Sequence, residues 1–204
     1  MTKILIIGAS GSIATVVRPA LLAQTDAQLI LAGRHPRRIH VTDADRETVL
    51  KLDVTQDDQL RAALQDVDVV YANLAGALDQ YAAHLVKVMD EVGVKRLFFI
   101  ATMGIYQEIP TWLGESPEPY TNSILRPYRL AADIIEDSDL TYTIIRPAWL
   151  DNAGDTTYEL TKKGDPFGGQ TVSRRSLADL IVRLVQHPDF GQRESFGINR
   201  PQAH

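Results

Sequence analysis

The sequence contains no cysteine, so disulfides, thiolate metal sites and cysteine nucleophiles are all excluded from its chemistry. The same absence fits a reducing compartment. Long hydrophobic runs are also missing. From Met1, Thr2 and Lys3 the chain passes straight into a short apolar stretch, with no signal peptide and no segment long enough to cross a bilayer. A cytoplasmic location without membrane contact is the expectation. An excess of positive charge is lacking too: 21 Lys and Arg against 26 Asp and Glu leave a net charge of -5, which argues against a nucleic-acid partner.

Two catalytic signatures are absent as well. His35, His40, His84, His187 and His204 are scattered without an HExxH or paired spacing, so no metal is expected. No Gly-x-Ser-x-Gly elbow occurs, which removes the main hydrolase reading.

What is present is an ordinary globular composition, 45% hydrophobic over 204 residues, which favours a single domain spanning 1–204. Short apolar runs at 4–8, 28–33, 48–53, 67–74, 95–102 and 140–147 read as strands buried on both faces. Helical patterns fall between them at 12–24, 56–65, 78–92 and 122–137, the second opening on the N-cap pattern Thr55-Gln56-Asp57-Asp58. This alternation predicts an α/β fold with a doubly wound parallel sheet and helices on both faces. After Pro147 a Gly-, Asp- and Thr-rich stretch predicts a small C-terminal extension on the substrate side. It is followed by a strand at 170–172, a helix over 174–186 and a last strand at 194–199.

In IIGASGSIA, Gly8, Gly11 and Ala14 recur at intervals of three between the first strand and the first helix. Gly8 would allow a tight turn, Gly11 would let the backbone approach a pyrophosphate, and Ala14 would let the helix pack close to the sheet. A second strand ends at Ala32-Gly33, where such folds choose their cofactor. An acid there takes a ribose 2'-hydroxyl, whereas an arginine takes a 2'-phosphate. The sequence offers Arg34 within GRHPRR and no acid, so NADP(H) is favoured over NAD(H), with Arg37 or Arg38 available to assist. On composition alone GRHPRR is a solvated loop.

Together IIGASGSIA, LAGR, KLDVTQ, ANLAG and TYTIIRPAW resemble the atypical short-chain dehydrogenase/reductase group. Within it the chain is most similar to NmrA-like NAD(P)-binding proteins and the flavin reductase (biliverdin reductase B) type. The resemblance extends over nearly the whole chain, including VSRRSLADLIVRLVQ, and implies a Rossmann-like fold. It implies that Gly8, Ala9, Ser10, Gly11, Ser12 and Ile13 form the diphosphate loop and that Arg34 contacts the 2'-phosphate. Asp53 and Val54 would touch the adenine, and Leu74, Ala75 and Gly76 would lie under the adenosine ribose. Pro147, Ala148, Trp149 and Leu150 would sit beside the nicotinamide. On the residues alone Asp53 is equally a turn or capping aspartate.

The segment ATMGIY should face the nicotinamide at the sheet's carboxyl edge. Thr102 stands where the family has a serine or threonine, and would either donate to a substrate carbonyl or the cofactor carboxamide, or cap its own turn. Orthodox members then carry a tyrosine and, four residues on, a lysine. Setting Arg129 in the lysine position, against the cofactor ribose, puts Leu125 in the tyrosine position; shifting by one pairs Tyr128 with Ile124. Neither register restores the dyad. A ketone becoming an alkoxide needs that proton donor. Flavins, quinones and extended tetrapyrrole-like systems delocalise the incoming charge and take their proton from water. Tyr128 remains available as a phenol donor or ribose contact. Tyr106, Trp112, Trp149 and Tyr158 are either a stacking wall for a flat acceptor or ordinary packing residues.

Three functions follow. The first is an NADPH-dependent reductase of a flat conjugated small molecule. The second is a non-catalytic NADP(H) sensor that binds a protein partner, as the NmrA-like resemblance implies. The third, a nucleotide-sugar epimerase or dehydratase, would need the missing dyad and a larger substrate domain.

Overall fold

The computed structural model describes residues 1–201; His204, noted above, lies outside the described residues. One sheet of eight strands runs through the molecule in the order β3-β2-β1-β4-β5-β6-β10-β8. Its strands are β1 (Lys3–Ile7), β2 (Gln28–Gly33), β3 (Glu47–Lys51), β4 (Val69–Ala72), β5 (Arg96–Ile100), β6 (Thr141–Pro147), β8 (Glu159–Thr161) and β10 (Glu194–Asn199). All neighbours are parallel except β8, which closes the edge antiparallel to β10. A separate two-stranded parallel ribbon pairs β7 (Trp149–Asp151) with β9 (Thr171–Ser173).

The five helices are α1 (Ala14–Gln24), α2 (Asp57–Ala63), α3 (Leu78–Val92), α4 (Arg126–Glu136) and α5 (Arg174–Gln186). Alternation along the strands explains why both faces are covered. In β1, Ile4 and Ile6 belong to the core shared with α1 and α5, whereas Leu5 and Ile7 belong to the core shared with α2, α3 and α4. On α3, Leu78, Ala82, Leu85 and Met89 recur at helical spacing and are buried against the second core.

The chain crosses from one side of β1 to the other, so β2 and β4 flank it and their connections leave in opposite directions. This places a crevice at the carboxyl ends of β1 and β4.

The structure departs from the sequence reading in the stretch after Pro147, where β7 and β8 form within what reads as loop. Each has three residues, too few to show a period, and β8 exists only through pairing with β10 more than thirty residues away. The fourth helix starts at Arg126 rather than 122, because the Asn122 carboxamide oxygen accepts the Ile124 and Leu125 N–H groups and forms a turn there. Thr55-Gln56-Asp57-Asp58 does not cap α2 by a side chain. Gln56 is the N-cap without a capping bond, and Asp57 instead pairs with His84 and Lys87 on α3.

Candidate cofactor site

The turn after β1 is fixed by its own backbone. Gly8 sits at φ +84°, and a Cβ there would lie 2.0 Å from the Asn73 carbonyl oxygen, so no other residue fits. Gly8 and Ala9 N–H both donate to Ala32 O at the end of β2, and Gly11 N–H donates back to Gly8 O at 2.9 Å. The N–H groups of Ser10, Ser12 and Ile13 have no protein acceptor among the described residues. These donors, at the start of α1, are the ones a diphosphate can use. Gly11 therefore serves by close approach, its missing side chain leaving room for the Asn73 carboxamide, and its own N–H is engaged.

Beside this turn lies a cleft of about 280 Å³ lined by Gly8, Ser10, Gly11, Arg34, Asp53, Val54, Leu74 and Ala75, all expected from the sequence. Ala9 and Ile13 are buried behind the turn, and Gly76 stands at φ +113° near the Tyr81 hydroxyl. The cleft also takes in Asn73, Tyr81, His35 and Arg38. Asn73 and Tyr81 are absent from the sequence reading. The first follows β4 directly and is defined only by its crossing of the glycine turn; the second occupies a helical position indistinguishable by pattern from a packing tyrosine.

Arg34 leaves β2, and a single 3₁₀ turn over Pro36–Arg38 follows, anchored by the buried Ile39. Arg34 and Arg38 line the cleft, and neither their guanidinium groups nor that of Arg37 forms a hydrogen bond or ion pair among the described residues. A phosphate placed there would meet unpaired guanidinium forks.

Asp53 is both a turn residue and a cleft residue. Its Oδ1 accepts the Thr55 N–H (3.1 Å) and hydroxyl (2.8 Å), which hold its carboxyl below the usual range, with a smaller contribution from the Arg34 charge. Val54 N–H has no protein acceptor among the described residues, which leaves a free donor next to a carboxylate in the cleft.

A family model of NAD(P)H-binding proteins matches residues 8–188, from Gly8 of this turn to Pro188 just past α5. The chain belongs to this NAD(P)H-binding oxidoreductase family. No curated protein matches the sequence. Among solved structures, a Rossmann-fold NAD(P)-binding family protein from Shigella flexneri is 37% identical and superposes with a TM-score of 0.86 over 100% of this chain and 95% of its own. A short-chain dehydrogenase/reductase from Veillonella parvula in complex with NADP is 29% identical, with a TM-score of 0.86 over 100% and 96%. ChuY, an anaerobillin reductase from Escherichia coli O157:H7, shares the fold at 19% identity and a TM-score of 0.81 over 100% and 99%.

Thr102 follows β5, and its hydroxyl makes no hydrogen bond among the described residues, so it does not cap its own turn. Pro147 and Ala148 are buried where β6 ends; Leu150 is half-buried in β7. Trp149, in β7, is 67% exposed, and Trp112, in the loop after β5, is 53% exposed. Tyr106 lines a shallow pocket with Glu118, Tyr120 and Arg129, and its phenol donates to Glu136 at 2.8 Å; burial first, then Glu136, pushes its pKa up. Tyr158 likewise donates to Asp179, and burial raises its pKa.

Arg129 is not among the cleft residues. Asp133, one turn along α4, takes its guanidinium at 2.7 Å, Tyr120 accepts from its Nε at 3.0 Å, and it lies over the Tyr106 ring. Its own helix and the preceding loop hold it in this arrangement. Tyr128 packs half-buried against the second core, and its phenol has no hydrogen bond among the described residues. Among those residues no three of His, Asp and Glu converge as a metal site, and no helix is long and apolar enough to cross a membrane.

Proposed function

We propose that the protein is an NADPH-dependent reductase of a flat, conjugated small molecule of the flavin or quinone class, working in the cytoplasm without a tyrosine/lysine dyad. The observation that carries this reading is the pair of unpaired guanidinium groups, Arg34 and Arg38, on a cleft that borders the glycine turn with its free N–H donors. The NADP complex of the Veillonella relative is in keeping with it.

The bound nucleotide supplies a hydride from its reduced nicotinamide. The chain's own residues bind and orient it. Ser10, Ser12 and Ile13 N–H groups take the diphosphate, Arg34 and Arg38 the 2'-phosphate, and Val54 N–H with Asp53 the adenine edge. At the acceptor side the dyad position is the buried Leu125, Arg129 is held by Asp133 and Tyr120, and Tyr106 is a half-buried phenol tied to a carboxylate. No strong acid faces the acceptor in this reading. The acceptor must therefore delocalise the incoming charge and take its proton from water, while the Thr102 hydroxyl donates one hydrogen bond and the exposed Trp149 offers a stacking face.

The test is NADPH oxidation by the purified protein against a panel of flavins and quinones, with NADPH binding followed on the same sample. Turnover above the protein-free rate is expected. Tight binding with no turnover across the panel would overturn the reductase reading in favour of a nucleotide sensor and send the search to a protein partner.

A further inference from the structure

The backbone stays zipped to β6 on either side of Thr102: Ala101 N–H donates to Ile145 O at 2.7 Å and Met103 N–H to Pro147 O at 3.2 Å. From Gly104 it turns away, and four residues later Glu108 reaches back beneath the turn. The buried Glu108 carboxylate accepts Gly104 N–H on Oε1 at 3.2 Å and Tyr106 N–H on Oε2 at 2.7 Å. Its charge is met by Arg146 of β6, and both side chains are entirely buried.

Arg146 uses its remaining donors elsewhere. Nε donates to Ser195 Oγ and Nη2 to Ser195 O on β10, both at 3.1 Å, and Nη2 also reaches Lys162 O just after β8. The Glu108 carbonyl accepts Phe167 N–H at 3.2 Å, and the Phe167 ring lies 5.5 Å from the Arg146 guanidinium. One buried ion pair thus ties together the loop with Thr102 at its root and the segment over 162–167 of the extension. Apolar residues of equal volume stabilise a core as well or better, whereas a planar five-donor fork fixes the direction of several backbone groups at once.

We propose that Glu108 and Arg146 are positioning residues for the hydride acceptor, holding the two sides of the acceptor region in register around Thr102. The proposal rests on the reductase reading, and neither residue lines the nucleotide cleft.

Two variants test it. Glu108→Gln keeps the shape but turns an amide toward Gly104 or Tyr106 N–H. Glu108→Leu with Arg146→Met leaves no charge buried, and carries the same readouts if the single variant does not fold. Expected for the double variant are a folded protein with a thermal midpoint lowered by the loss of the acceptor for Gly104 and Tyr106 N–H, NADPH affinity unchanged and kcat with a flavin or quinone lowered by about 10²-fold, the loss that a misplacement of about 1 Å brings. Amide exchange over 103–108 and 162–167 should rise in both variants. A double variant that keeps wild-type kcat and exchange would reduce the pair to a structural role and overturn the proposal. If the wild type itself shows no turnover, the reductase reading falls alone. The tie is then judged by exchange, and unchanged protection of both segments would overturn it.

Discussion

A methyl group at Gly8 would collide with the Asn73 backbone, which cannot turn aside, while one at Gly11 would meet the Asn73 carboxamide at 2.8 Å, which can. Gly8→Ala should therefore destabilise the fold by about 1–3 kcal/mol and lose nucleotide binding, while Gly11→Ala should retain most of its stability and weaken binding. Urea melts and NADPH titrations of both separate the two cases; a Gly8→Ala protein that melts and binds like wild type would show the turn to be otherwise arranged. Arg34→Ala should weaken NADPH by about 1.5–3 kcal/mol, roughly tenfold or more, and NADH much less. Equal losses for both would show that Arg34 does not meet the 2'-phosphate. The glycine turn and Arg34 at the end of β2 were legible in the sequence because the strand-turn-helix pattern carries them, whereas their packing against Asn73 was not. The setting of Arg129 was not legible either, because Tyr120 and Tyr106, brought up from a loop, hold it as much as Asp133 on its own helix does.

Between elements, the tie that matters most to the cleft is Arg18 of α1 with Glu47 at the start of β3. Glu47 Oε1 accepts from Arg18 Nε and Nη2, Oε2 accepts the Thr42 and Asp43 N–H groups, and Arg18 also reaches His40 O. The loop that follows Arg34 to Arg38 is thus fastened to α1, the helix that starts at the glycine turn. Burial pushes the Glu47 carboxyl upward, but the Thr42, Arg18 and Asp43 donors together outweigh it and leave its pKa lowered. A lowered folded value contributes stability at pH above the unfolded value, about 4.3, that is lost as pH falls through the folded one. Wild-type stability should drop in that window. Glu47→Gln should be less stable at neutral pH by about 3–5 kcal/mol, from breaking a buried pair, and should lack that part of the acid dependence. Urea midpoints between pH 6 and 3 check both. If the variant's midpoints fell in parallel with wild type, Glu47 would not be the titrating group.

At the scale of the whole molecule, the alternation of strands and helices was legible to within a few residues at each end, since burial on both faces of β1, β4 and β5 leaves short unbroken apolar runs. The ribbon of β7 with β9 and the edge strand β8 were not, because three-residue strands owe their existence to partners distant in sequence. The same holds for the acceptor side, where Glu108 and Arg146 carry no motif. Nucleotide binding should be felt globally. NADPH at a hundred times its Kd should add about 2.7 kcal/mol and raise the thermal midpoint by roughly 5–10 °C, with a smaller rise for NADH at the same concentration. Equal shifts for the two would leave the cleft indifferent to the 2'-phosphate.

The chain has two tryptophans, Trp112 in the loop after β5 and Trp149 in β7, both exposed. Every photon of indole emission therefore leaves from the side of the molecule where the acceptor is expected. Reduced nicotinamide absorbs where indole emits, so binding should be read as energy transfer without a label. Trp112→Phe and Trp149→Phe would then give two optical rulers, one from each side of the region that the acceptor must enter.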